Sequence, residues 1–510
     1  MTVAELIKPL NPIKVRGDTH QEVRGITDDS RQVRPGSLFV AIKGEHVDGR
    51  DFLAQALTQG AVGIVSEVST AEHAQGQETG IVESATPVII VRNARKALGL
   101  LAAWFHGDPS KHLRMIGVTG TNGKTTVSHL IRALVERIEG KTGVLGTIGS
   151  FVGNKQSPVS HTTPGSVVLQ SFLATLVETH IHTAIVEVSS HALALERVAG
   201  CEFDIVIFTN LTQDHLDFHG TMENYFLAKQ RLFTDYVRQG QKQGPKRALL
   251  NGDDTHSSRL AHDCAIPVWT YSIDTDSNLQ AHDIHFSLEG SQFSVRTPSG
   301  LITIQSHLVG LHNVYNMLAA VGVGLELGMS LKTIADVLGS VHNVPGRFER
   351  VDLGQAFTVV VDYAHTDDAL ARLLMAGQSL KKNRIVTVFG CGGDRDPGKR
   401  PKMGQVAVKR SDWVIVTSDN PRTEDPLSII RDIEQGILKV PVEERSPYQI
   451  IPDRREAIEC AIREAHPGDL IFIAGKGHED YQLIGKKRLD FDDREVVKEM
   501  IQQFHRSDGT

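Results

Sequence analysis

The sequence predicts an α/β protein built from three consecutive domains, a reading carried by length, periodicity and one break. Its 510 residues suffice for roughly three domains at about 150 residues each. Short apolar runs of strand length alternate with longer amphipathic runs, the pattern of parallel sheets covered by helices. Val344-Pro345-Gly346 interrupts the alternation, and a second series of the same kind follows it. The expected limits are 1–93 for a small N-terminal α/β domain, 94–345 for a central domain and 346–510 for a C-terminal domain.

In the first domain Ser37 to Ile42 reads as a strand, Asp51 to Leu57 as a helix, and Ala61 to Val65 and Val88 to Val91 as further strands. Ser69 to Glu78 is polar and reads as a surface excursion. In the central domain Thr183 to Val188 and Asp204 to Phe208 are β-like, while Val167 to Val177 and Met222 to Phe233 are helical. Residues 246–310 are less regular and are expected to form an antiparallel annex containing Val268 to Ile273 and Phe293 to Val295. In the last domain the strands Phe357 to Val361, Ile385 to Phe389, Trp413 to Thr417 and Leu470 to Ile473 are each followed by a polar segment rich in Gly or Pro. Parallel strands would bring all four segments to one sheet edge, where ligands bind in open α/β sheets.

The net charge of −7 gives no sign of a nucleic-acid binder, for which a basic domain is expected. Four scattered cysteines without a C-x-x-C pair indicate neither a zinc knuckle nor a disulfide framework. The start MTVAELIKPLNPIKV lacks an apolar core of signal-peptide length, and no apolar run approaches the roughly 18 residues of a membrane span. The expectation is a cytoplasmic monomer with small-molecule ligands and no nucleic-acid or membrane partner.

Gly117-Val-Thr-Gly-Thr-Asn-Gly-Lys-Thr-Thr126 follows the strand Met115, Ile116, Val118 and opens the amphipathic run Val127 to Ile138. A strand, a glycine turn and a helix start can cradle phosphate with backbone N–H groups, which implies nucleoside triphosphate binding. Gly120, Thr121, Asn122, Gly123, Lys124, Thr125 and Thr126 are the loop candidates. Lys124 would reach the terminal phosphates, and the Thr125 hydroxyl is placed to ligate Mg²⁺. Val118 stands where the general pattern has its first glycine.

Glu187 ends a β-like run and His215 follows another. On residue type alone either is structural more often than metal-binding, and their place after strands of the nucleotide domain reverses that preference. Lys229 has Tyr225, Phe226, Leu232 and Phe233 three and four residues away on its helix, so its ammonium falls on an apolar face. A snorkelling lysine and a functional group are both open readings there. Asp419-Asn-Pro-Arg422, with Arg395, Gly475 and Glu479, could hold an amino-acid head group: an Arg fork pairs with a carboxylate and a Glu accepts from an ammonium. A proline turn bearing a surface arginine is the plainer alternative.

The loop Gly120-Thr-Asn-Gly-Lys-Thr-Thr126 and the segments Asp214-His-Leu-Asp-Phe-His-Gly220, Asp362-Tyr-Ala-His365, Asp419-Asn-Pro-Arg422 and Gly475-Lys-Gly-His-Glu479 together resemble the Mur ligases, relatives of the folylpolyglutamate synthetases. The resemblance implies a central domain like the P-loop ATPases and a Rossmann-like C-terminal domain. It implies ATP-dependent joining of meso-diaminopimelate to the D-glutamyl γ-carboxylate of UDP-N-acetylmuramoyl-L-Ala-D-Glu through an acyl phosphate. The metal residues it implies are Thr125 and Glu187 for an ATP-linked Mg²⁺, and His215 with Lys229, carbamylated by CO₂, for a second. Lys124, His215 and Lys229 are then the catalytic candidates.

By the same resemblance Asn313, Arg347 and Asp362 lie near the nucleotide. Ser30, Glu45, His46, Val47, Thr162, Thr163, Ser189 and Arg197 contact the UDP-linked substrate, and Arg395, Asp419, Asn420, Pro421, Arg422, Gly475 and Glu479 contact diaminopimelate. Two positions depart from the pattern: Leu195, where a glutamine is usual, and Asp367, where a proline is usual and where Asp can serve as a helix cap.

Overall fold

The computed structural model describes residues 1–44, 47–67, 86–237, 242 and 244–507. Among them three main sheets follow one another along the chain. The first runs in the order Lys14–Arg16, Val88–Val91, Ala61–Glu67, Ser37–Ala41, Gly25–Thr27, parallel except for its first strand. The helix Ala94–Phe105 closes its core with Ala94, Ala97, Leu98 and Leu101. This first structural unit therefore extends beyond the expected limit at residue 93.

The central sheet is parallel from Leu279–Ser287 through Val268–Ser272, Arg247–Asn251, Ile205–Phe208, Arg114–Thr119 and Thr183–Glu187 to Gly143–Gly146. Antiparallel strands extend it at both ends, Gly290–Thr297 and Gly300–Ser306 on one side and Gly149–Val152 and Lys155–Ser157 on the other. The expected annex over 246–310 is corrected here: Arg247–Asn251 and Val268–Ser272 belong to the parallel core, with Ala248, Leu249 and Leu250 all buried. Within that region only the strands from Gly290 onward run antiparallel, and they continue the same sheet. Helices Lys124–Glu139, Leu311–Glu326 and Leu331–Ser340 pack on one face and Ser166–Glu178 and Met222–Thr234 on the other.

The third sheet has the order Glu349–Val351, Thr358–Asp362, Leu470–Ala474, Ile385–Phe389, Trp413–Val416, Tyr448–Ile450, and only its first pair is antiparallel. The four polar segments expected at one edge therefore do follow four mutually parallel strands. Asp367 opens the helix Asp367–Leu380 without capping it: Thr366 accepts from Ala369 N–H, and Asp367 sits in the first turn, where a carboxylate suits the positive helix end. No helix among the described residues is long and apolar enough to cross a membrane.

Helices Lys399–Arg410 and Pro426–Leu438 approach closely because glycines face the contact. A Cβ on Gly436 would lie 1.9 Å from the Pro401 carbonyl oxygen, and one on Gly404 would lie 2.4 Å from that of Ile433. Gly436→Ala is expected to cost about 1–3 kcal/mol by overpacking, read as a lower midpoint in chemical denaturation. An unchanged midpoint would show that the two helices separate without strain.

Candidate functional site

The central strand Arg114–Thr119 lies between Ile205–Phe208 and Thr183–Glu187, so the chain leaves it at a topological switch point, where such sheets bind ligands. Gly120 has φ +149° and its added Cβ would meet Thr209 Oγ1 at 1.8 Å; Gly123 has φ +89° and its Cβ would meet Asn316 Oδ1 at 2.5 Å. Both positions require glycine. The neighbouring strand end braces the loop: Asn122 N–H donates to Asn210 Oδ1 at 2.9 Å, and Thr209 Oγ1 donates to the Asn122 carbonyl at 2.6 Å. Lys124 Nζ donates to the Gly120 and Thr121 carbonyls at 2.9 and 2.8 Å, which holds the ammonium over the loop.

Beside this loop a cavity is lined by Asn122, Gly123, Thr126, Asn313, Arg347 and Asp362, six of the residues expected around the nucleotide. Asn251, Tyr271 and Tyr315 also line it, although no motif marks them in the sequence. Asn316 Nδ2 donates to Asn313 Oδ1 at 3.1 Å, and the Arg347 guanidinium stacks 4.6 Å from the Tyr363 ring centroid. Burial raises the pKa of Asp362, with Arg347 opposing the shift.

Thr125 Oγ1 donates to Glu187 Oε2 at 3.0 Å and accepts from Arg347 Nη2 at 3.3 Å; Thr147 Oγ1 donates to the same Glu187 oxygen at 2.9 Å. Hydroxyls and a carboxylate beside a phosphate loop are the hard oxygen donors that suit Mg²⁺. Among the described residues no three His, Cys, Asp or Glu side chains gather as a metal cage. A cation here would complete its shell with water and substrate phosphate, as Mg²⁺ commonly does.

Lys229 is 1 % exposed. Its ammonium donates to the Gly120 carbonyl at 2.8 Å and lies 4.6 Å from the Tyr225 ring centroid. Among the described residues it has no ion-pair partner. Burial, and after it the charge of Lys124, pushes its pKa well below the ordinary lysine value, against the pull of Asp214. The snorkelling reading fails, because the head group points inward to the nucleotide loop. His215 adopts φ +55°, and its Nε2 lies 3.4 Å from Asp214 Oδ2. Burial pushes its pKa down to about 3, with Asp214 opposing and His191, Lys229 and Lys124 reinforcing the shift. The imidazole is therefore neutral at physiological pH, the form that ligates metals.

A larger cleft between the central and C-terminal domains gathers Thr162, Ser189, Arg197, His215, Arg395, Asp419, Asn420, Arg422, Gly475 and Glu479. Leu195 lines it too. Thr163 is buried: its hydroxyl donates to the Glu187 carbonyl at 2.7 Å and accepts from Ser189 N–H at 3.0 Å, fixing both strand end and turn. Ser30 donates to Gln55 Oε1 at 3.2 Å within the first domain and Val47 is exposed there, whereas Glu45 and His46 lie outside the described residues. Burial raises the pKa of the neighbouring Asp28, with Arg95 and Arg197 opposing the shift.

On the C-terminal side Asn420 Nδ2 donates to Glu479 Oε2 at 2.7 Å, and Lys476 Nζ lies 3.4 Å from the same oxygen. Burial and Asp419 raise the Glu479 pKa, with Lys476 offsetting them. Arg422 has φ +51°; its backbone is pinned to Leu483 and Gly485, and its Nη1 donates to the Gly393 carbonyl at 2.7 Å. The buried carbonyl of Pro421 closes against Gly393. Arg395 donates to the Asp394 carbonyl at 2.8 Å at the exposed rim.

Behind these loops lies an arrangement the sequence does not announce. Arg454 and Asp493, both fully buried, form a two-point ion pair at 2.8 and 2.8 Å. Arg454 Nη2 also donates to the Ala474 carbonyl at 3.0 Å, and Nη1 lies 3.5 Å from that of Ser418. Those carbonyls immediately precede Gly475 and Asp419, so one guanidinium braces both loops.

Comparison with known proteins places this geometry. The chain matches "Mur ligase family, catalytic domain" over residues 22–106, "Mur ligase middle domain" over 118–324 and "Mur ligase, glutamate ligase domain" over 346–477. It is 44% identical over 503 residues to the UDP-N-acetylmuramoyl-L-alanyl-D-glutamate--2,6-diaminopimelate ligase of Geobacillus thermodenitrificans, covering 99% of this chain and 100% of that protein. The protein of the same description from Syntrophomonas wolfei is 45% identical over 501 residues, covering 98% and 99%. A solved structure of a UDP-N-acetylmuramoyl-L-alanyl-D-glutamate--2,6-diaminopimelate ligase aligns with TM-score 0.68 at 35% identity, covering 99% of this chain and 100% of that one. The chain belongs to the Mur ligase family.

Arg454→Met, which strands the Asp493 carboxylate in the core, is expected to cost about 3–5 kcal/mol in chemical denaturation. Arg454→Met combined with Asp493→Leu should recover most of that stability but not the loop contacts. If the double variant restores amide protection at residues 419–422 and 475–479 in hydrogen exchange, the bracing role is wrong.

Proposed function

We infer that this chain is an ATP-dependent ligase that adds meso-diaminopimelate to the D-glutamyl γ-carboxylate of UDP-N-acetylmuramoyl-L-Ala-D-Glu, making a peptidoglycan precursor. The observation that carries the reading is the shared cleft: Arg422, Asn420 and Glu479 face it from one domain, and His215, Ser189 and Arg197 from the other. Relatives similar over their whole length bear the name of that activity. The phosphate loop and the cavity beside it fit ATP.

The γ-phosphoryl of ATP passes to the carboxylate, the diaminopimelate amine attacks the acyl carbon, and phosphate leaves as the amide forms. Lys124 aims a cation at the transferring phosphate, the principal demand of phosphoryl transfer. Mg²⁺, when bound, neutralises charge moving between phosphates and carboxylate; Thr125 and Glu187 would hold one ion, and His215 with Lys229 a second. Ser30, Val47, Thr162, Thr163, Ser189 and Arg197, with Glu45 and His46, serve the UDP-linked substrate. Arg395, Asp419, Asn420, Pro421, Gly475 and Glu479 serve diaminopimelate around Arg422. Closure of the domains near Pro345 would align the reactants and keep water from the acyl phosphate.

Carbamylation of Lys229 fits its surroundings. A buried amine held by one carbonyl, with no carboxylate partner among the described residues, can attack the carbon of CO₂ and release a proton, replacing a costly buried cation with a metal-binding anion. Lys229→Ala is expected to lose nearly all ligation while keeping its fold, with partial rescue by high acetate or formate. Intact mass of active enzyme kept under CO₂ should show the adduct; an unmodified Lys229 in fully active enzyme overturns the carbamate.

The test of the substrate assignment is phosphate release with a panel of amino acids. Arg422 should select diaminopimelate by pairing with the distal carboxylate that lysine lacks, contributing about 2–3 kcal/mol, or roughly two orders of magnitude in discrimination. Arg422→Ala is expected to lower kcat/KM for diaminopimelate strongly and that for lysine little. An unchanged ratio of the two, or a wild type that prefers lysine, overturns the choice of amino acid while leaving the ligase reading intact.

A further inference from the structure

Lys399 has no part in the scheme above, and its surroundings leave its charge unexplained. It is the first residue of the helix Lys399–Arg410, where the helix dipole opposes a cation. The residue is 5 % exposed, and it lines the cleft between the domains. Among the described residues its ammonium makes no hydrogen bond, and its nearest carboxylate oxygen, Asp214 Oδ1, is 3.9 Å away in the opposite domain. A nearly buried ammonium at a helix start, met only by one distant carboxylate, is costly unless another anion reaches it.

The place of Asp214 indicates which anion that is. His215 Nε2 at 3.4 Å and His365 Nε2 at 3.9 Å share its other oxygen, Oδ2, and it acts electrostatically on Lys124 and Lys229. Lys399 therefore faces the turn of the central domain that carries Asp214 and His215. The recognition loops of its own domain already have Arg422 and Arg395 for carboxylates. Next to Lys399, Lys402 bonds to Gln213, and Gln213 Nε2 donates to Asp396 Oδ2 at 3.3 Å, so the helix start is tied directly to the turn that carries Asp214 and His215.

We propose that Lys399 is a further catalytic residue, contacting the phosphoryl oxygens of the acyl phosphate from the C-terminal side; this rests on the ligase reading above. As the bond from the γ-phosphorus to the ADP oxygen breaks, the bond to the carboxylate oxygen forms and negative charge spreads over the phosphoryl oxygens. Lys399 neutralises that charge opposite Lys124. It then stabilises departing phosphate when the amine nitrogen bonds to the acyl carbon, the carbon–oxygen bond breaks and the amine gives up a proton. Acyl-phosphate formation thereby becomes conditional on the C-terminal domain being docked.

The experiment compares wild type with Lys399→Met, Lys399→Gln and Lys399→Arg. It measures kcat, KM for diaminopimelate, hydroxylamine trapping of the acyl phosphate without amino acid, and the denaturation midpoint. Met and Gln are expected to lower kcat and trapped hydroxamate together by about 10²–10³-fold, with KM for diaminopimelate and the midpoint unchanged, and Arg is expected to retain more activity than either. Normal trapping in a folded Met or Gln variant overturns the proposal, as does a raised KM for diaminopimelate at normal kcat, which would make Lys399 a ligand of the amino acid. Wild-type protein that forms no product with any amino acid would instead overturn the ligase reading, so the two failures are told apart.

Discussion

The Thr125 hydroxyl is the contact on which the architecture of the site turns. It donates to Glu187 and accepts from Arg347, so one oxygen joins the nucleotide helix, a strand end of the central sheet and the first segment of the C-terminal domain. Each member is fixed by something else: Glu187 also by Thr147, Arg347 by stacking on Tyr363, and Thr125 by the helix that begins at Lys124. A ligand that bonds to Thr125 must rearrange this junction. If Thr125 serves the nucleotide as proposed, its binding and the docking of the C-terminal domain share one hydrogen-bond partner.

Parallel pairing explains why so much chemistry converges. A parallel sheet delivers the carboxyl ends of its strands to one edge, and here two such edges face each other across the cleft. The central edge presents the phosphate loop, Glu187 and His215. The C-terminal edge presents His365, Asp419, Arg422 and Glu479. Asn251 and Tyr271 come from the strands of 246–310 that belong to the parallel core, and they line the cavity beside the phosphate loop, so reading that region as an annex left both residues out of the expected site.

Much of this was legible in sequence because it depends on local rules. A glycine loop followed by Lys-Thr between an apolar strand and an amphipathic helix favours a phosphate cradle over an ordinary turn, and the Lys229 spacing placed an ammonium on an apolar face before any fold was known. The direction of its head group was not legible, since only the path of the chain brings the Gly120 carbonyl against a helix more than a hundred residues away. Arg454 and Lys399 escaped for a related reason. Each is an ordinary charged residue at a helix start, and its burial follows from which loops and which domain the fold sets around it. The edge strand Glu349–Val351 and the hairpin Tyr481–Ile484 with Lys487–Asp490 were too short and too polar for periodicity to register.

Recognition and reaction rest on different supports. The loops bearing Asp419, Arg422 and Glu479 are held within one domain, through Arg454, Lys476 and the backbone pairing of Arg422 with Ile484. The groups proposed to react would instead come from two domains: Lys124, Lys229 and His215 from one, Lys399 from the other, with Asp214 and His365 between them. A rigid recognition surface discriminates well because a wrong substrate leaves its buried polar groups unpaired and they cannot relax. An assembled centre has the opposite property, since its charges are brought to working distance only when the domains meet. Lys399, met across the seam by Asp214 alone at 3.9 Å, would favour that meeting most when an anionic substrate occupies the seam. Substrate charge would then help to build the centre that acts on it.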